Sequence, residues 1–194
     1  MKRRNFLKTC GVTSASLFLL NDTFAAVSSE YKRNPNIKPI MGSWFEFTHG
    51  FAPEGKYWNP VLPQFTEQQW KEKVKEISEA GMEYLVLMAV ANDGKTFYPS
   101  KLQPRYDYVC ADPLEAILSA ADECGIKFFV SNDFWSDWHD GNKMMSDAEV
   151  AKLREKGMEE VAEKYSHHKS FYGWYYPNES GLWNSIDEMT INYV

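Results

Sequence analysis

Apolar residues along this chain recur at two spacings in turn, a short continuous or alternating run and then a run with the period of a helix. "PIMGSWFEF", Pro39 to Phe47, is rich in rings and is bounded by Pro39 and by His49-Gly50, which predicts a first strand. An aromatic loop, Phe51 to Phe65, leads to "TEQQWKEKVKEISEAG", where Trp70, Val74 and Ile77 fall on one helical face. Thr66 with Gln69 makes a capping box at its start, and Gly81 stops it. "MEYLVLMAVA", Met82 to Ala91, is then a continuous apolar run, the form a strand takes when a parallel sheet is covered on both faces. The second helix has Asp112 as cap and Pro113 in its first position, with Leu114, Ile117, Leu118 and Ala121 as its apolar stripe and Gly125 at its end. "IKFFVSNDFW" predicts the third strand. Ser146 and Glu149 open a third helix whose Val150, Leu153, Met158, Val161 and Tyr165 face inward, and "FYGWYY", Phe171 to Tyr176, predicts the fourth strand. A last capping box, Ser185 to Glu188, starts one more helix.

Strand and helix repeated with short connections build right-handed βαβ units and a parallel sheet. The expected fold is therefore α/β, about four βα units forming the N-terminal half of a (β/α)8 TIM barrel. The competing architecture, an open doubly wound sheet, requires a glycine-rich phosphate turn after the first strand, and none follows Phe47. A half-barrel leaves the edges of its first and fourth strands unpaired. The sequence is accordingly expected to be a fragment, its domain continuing past Val194.

Residues 1–26 stand apart from this pattern. Arg3 and Arg4 precede Phe6-Leu7-Lys8, a mildly apolar run extends from Cys10 to Leu20, and "TFAA" supplies small residues for cleavage. This reads as a twin-arginine-type signal peptide that delivers the protein to the periplasm or the exterior through the twin-arginine export machinery. The run is too short to span a bilayer, so no stable membrane anchor is expected after cleavage. Residues 27–38 form a mature N-terminal linker, and 39–194 the partial barrel.

The full chain has net charge −6, and no Lys/Arg stripe crosses its body, which excludes nucleic acid as the main partner. Rings make up 15% of the residues, and all seven tryptophans follow the leader, a surplus that suits stacking on sugars. Cys110 and Cys124 bracket one helix, roughly 20 Å apart at 1.5 Å per residue, which predicts two free thiols.

Functional groups of parallel barrels sit at the carboxyl ends of strands and in the loops beyond them. Those positions hold Glu46 and His49, then Asn92 and Asp93, then Asn132, Asp133, Trp135, Asp137, Trp138 and His139, and finally Asn178 and Glu179. Trp44 and Glu46 share a strand face by period two, so Trp44 either fills the core or meets substrate. Asp133, Asp137 and His139 match no strict ligand spacing, and the loop around them is expected to line substrate; no metal or other cofactor is expected. His167-His168 reads as a solvated turn at the end opposite the site.

"GWYYPNES", with the three units before it, resembles a bacterial glycoside-hydrolase-like barrel family, domain of unknown function 4434, which belongs with the cellulase-like TIM barrels. The resemblance covers Pro39 to Val194 and the first half of that family's domain. It implies a catalytic acid/base at Glu179, in the Asn-Glu pair that ends the fourth strand, and a hydroxyl-binding role for Asn178. Trp44, Glu46, Asn132, Asp133, Trp135, Trp138 and Tyr176 are the expected substrate-binding residues. Burial beside Tyr175, Tyr176 and Trp183 is expected to raise the Glu179 carboxyl above its free value near 4.3, so that it can give a proton to a leaving oxygen. The clan's nucleophile ends the seventh strand, beyond this sequence. The resemblance thus implies an exported glycoside hydrolase acting on oligo- or polysaccharide. Two alternatives stay open: a metal-dependent sugar isomerase or epimerase barrel, and a non-catalytic carbohydrate-binding barrel or inactive fragment.

Overall fold

A computed structural model describes residues 39–50, 52–131, 134–136 and 147–175. Four strands, β1 (Gly42–Phe45), β2 (Tyr84–Leu87), β5 (Lys127–Ser131) and β6 (Phe171–Tyr175), form one parallel sheet in the order β1-β2-β5-β6. Between β2 and β5 lies a small antiparallel hairpin, β3 (Ala91–Asn92) and β4 (Lys95–Thr96). The helices are α1 (Ala52–Gly55), α2 (Glu67–Glu79), α3 (Pro113–Cys124) and α4 (Ala148–Tyr165), with a 3-10 turn at Leu62–Gln64. Each βα unit adds its strand on the same side of the last one. A doubly wound sheet would reverse direction at a switch point; this sheet does not, and its order is that of the first four units of a (β/α)8 barrel.

Pairing in register sorts the strand residues onto two faces. Phe45 lies beside Leu87, which lies beside Val130 and then Trp174, while Trp44 lies beside Val86, Phe129 and Gly173. Phe45, Leu87 and Val130 of the first row, with Leu85 and Phe128, are buried under the helices in a single core with Trp70 and Val74 of α2, Leu114, Ile117, Leu118 and Ala121 of α3, and Val161 and Tyr165 of α4, and half-buried Trp174 packs against it. Each such apolar side chain contributes roughly 1.5–3 kcal/mol on burial. Phe45 anchors the sheet to α2 through Trp70 and to β5 through Phe128, with ring centroids 6.1 and 5.6 Å apart.

Helix boundaries follow from local chemistry. Thr66 Oγ1 accepts from Gln69 N at 3.3 Å while Gln69 Oε1 accepts from Thr66 N at 2.9 Å, the reciprocal box expected. Asp112 Oδ1 accepts from Glu115 N at 3.0 Å ahead of Pro113, and α3 ends on Gly125 at φ 76°, a left-handed position that favours glycine. At α4 the observed cap is Asp147, whose carboxylate accepts from Glu149 N and Val150 N; Ser146 lies outside the described residues. Cys110 is buried and Cys124 half-buried, each as a free thiol.

Three expectations change. The apolar run Met82–Ala91 is not one strand: β2 stops at Leu87, and Ala91–Thr96 fold back as the hairpin. Asp93 and Gly94, at φ 47° and 72°, occupy both left-handed positions of its two-residue turn, the Asp-Gly signature of a tight hairpin. On α4, Val150, Val161 and Tyr165 are buried as expected and Leu153 packs against the core, but Met158 is only half-buried, and Gly157 and Glu160 take buried places. His168 is not a solvated turn residue. It is 6% exposed and bonded to two carboxylates of α3. Among the described residues no helix is long and apolar enough to cross a membrane.

Candidate functional site

The carboxyl end of β1 collects the charged groups that sequence spacing brings near one another. Glu46 continues the Trp44 side of the strand, and the chain then turns through His49 into α1. Two reciprocal bonds fix that turn: His49 N donates to Asn59 Oδ1 at 2.8 Å, and Asn59 Nδ2 donates to His49 O at 2.9 Å. Gly55 makes this closure possible, since a Cβ there would overlap the Asn59 side chain.

So held, the His49 imidazole bridges two carboxylates. Its Nδ1 bonds Glu46 Oε2 at 2.7 Å and its Nε2 bonds Glu54 Oε2 at 3.0 Å, with the Trp58 ring edge-on at 6.1 Å. Burial acts to lower the His49 pKa, but the hydrogen bonds and negative charges of Glu46 and Glu54 outweigh it and leave the value above the usual 6.5. Bonded through both ring nitrogens, the imidazole fixes the orientation of Glu46 at the rim of the sheet.

Trp44 is 54% exposed and meets Tyr175 of β6 edge-to-face, with ring centroids 5.2 Å apart. These residues stand on the outermost strands of the sheet. In a flat sheet, strands spaced about 4.8 Å apart would put β1 and β6 roughly 14 Å from each other. Both rings therefore lean inward over a concave face, on the side away from the helices.

Behind the site the β3–β4 hairpin is locked in place by rings. Phe97 stacks on Tyr106 at 4.5 Å and lies tilted against Phe47 at 5.2 Å, and Tyr108 donates its hydroxyl to Phe47 O at 2.8 Å. Burial pushes Tyr106 up to about 12 and Tyr108 beyond it, so both remain neutral donors. Asn92 is buried here with its Oδ1 unpartnered.

One expected substrate ligand is removed by its position. Trp135 is 1% exposed, and its indole lies against Gly157 of α4, where a Cβ would overlap the ring; its carbonyl accepts from Gln103 Nε2 at 2.9 Å. It is a core residue that holds the loop after β5 onto α4. Of the other expected residues, Glu46 is at the site. Asn132, Asp133, Trp138, Tyr176, Asn178 and Glu179, with Arg3 and Arg4, lie outside the described residues. Sequence reasoning reached Glu46 and His49 as strand-end groups but missed Glu54, Trp58 and Asn59. The three-residue separation of Glu46 and His49 is a local signal from which their pairing could have been read, whereas nothing local pairs His49 with Glu54.

The profile of the family described as "Domain of unknown function (DUF4434)" matches residues 40–193. The chain belongs to that family. The family match begins at the residue before Met41, whose carbonyl accepts the first bonds from the β2 side, and spans every element described above. No protein among the curated ones matches the chain. Solved structures similar to it include a putative alpha-L-fucosidase from Bacteroides thetaiotaomicron VPI-5482, with 17% identity and a TM-score of 0.48, over 70% of this chain and 40% of that one. An alpha-L-fucosidase GH29 from Bacteroides thetaiotaomicron follows, with 16% identity and a TM-score of 0.41, over 74% of this chain and 39% of that one. The chain thus spans about 40% of the length of the first of these structures.

Proposed function

We propose that this DUF4434 chain is part of an exported glycoside-hydrolase-like barrel that binds oligo- or polysaccharide across the carboxyl ends of its strands, with Glu179 as the acid/base. The single observation behind this reading is the Trp44–Tyr175 pair on the concave face, on the strand that leads two residues later into Glu46 of the Glu46–His49–Glu54 group. An exposed indole next to carboxylates is what a pyranose requires, an apolar face to stack on and charged acceptors for its hydroxyls. β6 is the fourth strand of the sheet, so the Asn178-Glu179 pair follows the fourth strand in sequence, the position at which barrel enzymes keep catalytic groups. In this reading Glu179 gives its proton to the leaving oxygen and, once ionised, activates water. Asn178 binds a hydroxyl beside the cleaved bond, and the twin-arginine-type leader delivers the folded protein.

The test is a panel of aryl glycosides and oligosaccharides, scored for binding by tryptophan fluorescence and for hydrolysis by product release. Expected are saturable binding by the unaltered protein and by Glu179→Gln, with any hydrolysis lost only in the variant. Absence of sugar binding across the panel refutes the reading. Binding without hydrolysis by the unaltered protein removes the catalytic part and leaves a carbohydrate-binding barrel.

A further inference from the structure

The connection from α4 to β6 holds a second cluster of ionisable groups, unrelated to the strand ends. Asp122, in the last turn of α3, is fixed by the Ser170 backbone, whose N–H donates to Asp122 Oδ1 at 2.7 Å. Its other oxygen, Oδ2, stands 2.7 Å from His168 Nδ1. This bond sets the imidazole's tautomer and ring plane and aims Nε2 away from Asp122. Seven residues earlier on α3, two helical turns away, Glu115 places Oε2 3.1 Å from that Nε2. The neighbouring His167 ring lies over the His168 ring, with centroids 4.1 Å apart and planes 37° apart. One donor atom from each of Glu115, His167 and His168 falls within 4.8 Å of the others.

We infer that Glu115, His167 and His168 form a zinc site, with Asp122 as the carboxylate that orients His168. Zinc bonds of about 2.0–2.1 Å at tetrahedral angles separate neighbouring donor atoms by roughly 3.3 Å, close to the spacing between His168 Nε2 and Glu115 Oε2. Two imidazoles and one carboxylate suit zinc and its transition-metal neighbours, whereas calcium and magnesium select oxygen donors. A metal-bound histidine characteristically gives its other ring N–H to a carboxylate, and the Asp122–His168 bond supplies that support in advance. His168 is buried while His167 is exposed, so the site has a closed inner side and an open outer side where a water completes four-coordination. The ion would bind α3 to the segment that starts β6, at the other end of that strand from Tyr175.

The full chain, stripped with chelator and dialysed, is titrated with zinc chloride alone by calorimetry, and in parallel with cobalt chloride followed by absorption. Expected are one ion per chain, a raised melting temperature with excess zinc, and a cobalt spectrum free of the thiolate charge-transfer band that cysteine ligands would give. His167→Ala replaces an exposed side chain and Glu115→Gln keeps the hydrogen-bonding shape, so both variants fold. Each is expected to weaken zinc binding at least tenfold, and Asp122→Asn by about 10- to 100-fold. Zinc affinity unchanged in His167→Ala and Glu115→Gln overturns the inference. So does a thiolate band, or the absence of any saturable zinc binding by the unaltered chain.

Discussion

Glu160 is the buried charge through which the loop beyond the β3–β4 hairpin is tied to α4, and its removal has a size that the geometry sets. One of its oxygens, Oε2, accepts from the Tyr98 hydroxyl at 2.8 Å and the Ser100 hydroxyl at 2.6 Å; the other, Oε1, accepts from Lys101 N at 2.6 Å. Hydrogen bonds to a charged group contribute roughly 1.5–3 kcal/mol each, but three bonds to one carboxylate are not additive. Glu160→Ala also leaves the Tyr98 hydroxyl without its acceptor in a place with no access to water. The expected loss is about 3–5 kcal/mol, a large share of the stability of a domain this size. Glu160→Gln keeps the volume and accepting oxygen and is expected to lose about 1–2 kcal/mol. Urea unfolding followed by circular dichroism reads both values from the shift of midpoint at constant slope. Burial acts to raise the Glu160 pKa, but the bonds from Ser100, Lys101 and Tyr98 outweigh it and leave the value below the usual carboxylate range. Its contribution is therefore complete above the unfolded value near 4.3 and disappears as pH falls through the lower folded value. The difference between unaltered protein and Glu160→Gln should narrow over that acid range. A Glu160→Ala loss below 1 kcal/mol, or a difference that widens on acidification, refutes the reasoning.

Three more outcomes can be stated briefly. Gly157→Ala drives a methyl group into the Trp135 indole and should destabilise the chain by about 1–3 kcal/mol in the same urea assay, while Gly157→Ala combined with Trp135→Leu should recover part of the loss. His49 should titrate by NMR with a midpoint above 6.5, and whatever stability its bridge supplies is complete below 6.5 and lost as pH rises through that midpoint; a midpoint below 6.5 would contradict the Glu46–His49–Glu54 geometry. A folded reporter fused behind residues 1–26 should be exported, and Arg3→Lys with Arg4→Lys should retain it in the cytoplasm, as fractionation would read directly.

The features legible in the sequence are those decided by nearby residues. The Thr66–Gln69 box, the Asp112 cap and the Gly125 stop are each complete within a few positions, and each is found where the pattern puts it. The strand order could be read as well, because consecutive βα units with short helix-to-strand turns leave few arrangements. The Asp93-Gly94 turn was equally local, but it lay at the end of an apolar run that looked like a single strand. Trp135 was misread for another reason. It lies past the end of a strand in a largely polar loop, whereas its indole packs against the bare backbone of Gly157, on a helix more than twenty residues later. His168 is the same case at longer range, with its partners Asp122 and Glu115 separated from it by 46 and 53 positions. No local pattern signals a contact of that kind.

The surplus of rings also divides by strand register, and that division makes a sharper test of the carbohydrate reading than composition does. Tyr172 is as exposed as Trp44, 54% in each case, and lies on the same face of the sheet as Tyr84 and Phe129. It stands near the start of β6, beside the register shift between β5 and β6, and the Lys127 ammonium sits 4.5 Å from its ring centre. A cation already covers that π-face, whereas Trp44 lies on the strand that runs two residues later into Glu46 and its bridge to His49. If exposed rings alone made the platform, Trp44→Ala and Tyr172→Ala would weaken sugar binding alike. If the platform is the end of the sheet with charged acceptors, only Trp44→Ala should do so, by about 1 kcal/mol or roughly fivefold in affinity. Neither substitution removes a fully buried side chain, so melting temperatures serve as the control. Titration of both variants with the tightest sugar of the panel decides between the two. An equal loss from both would move the binding face from the strand ends to the whole concave side of the sheet.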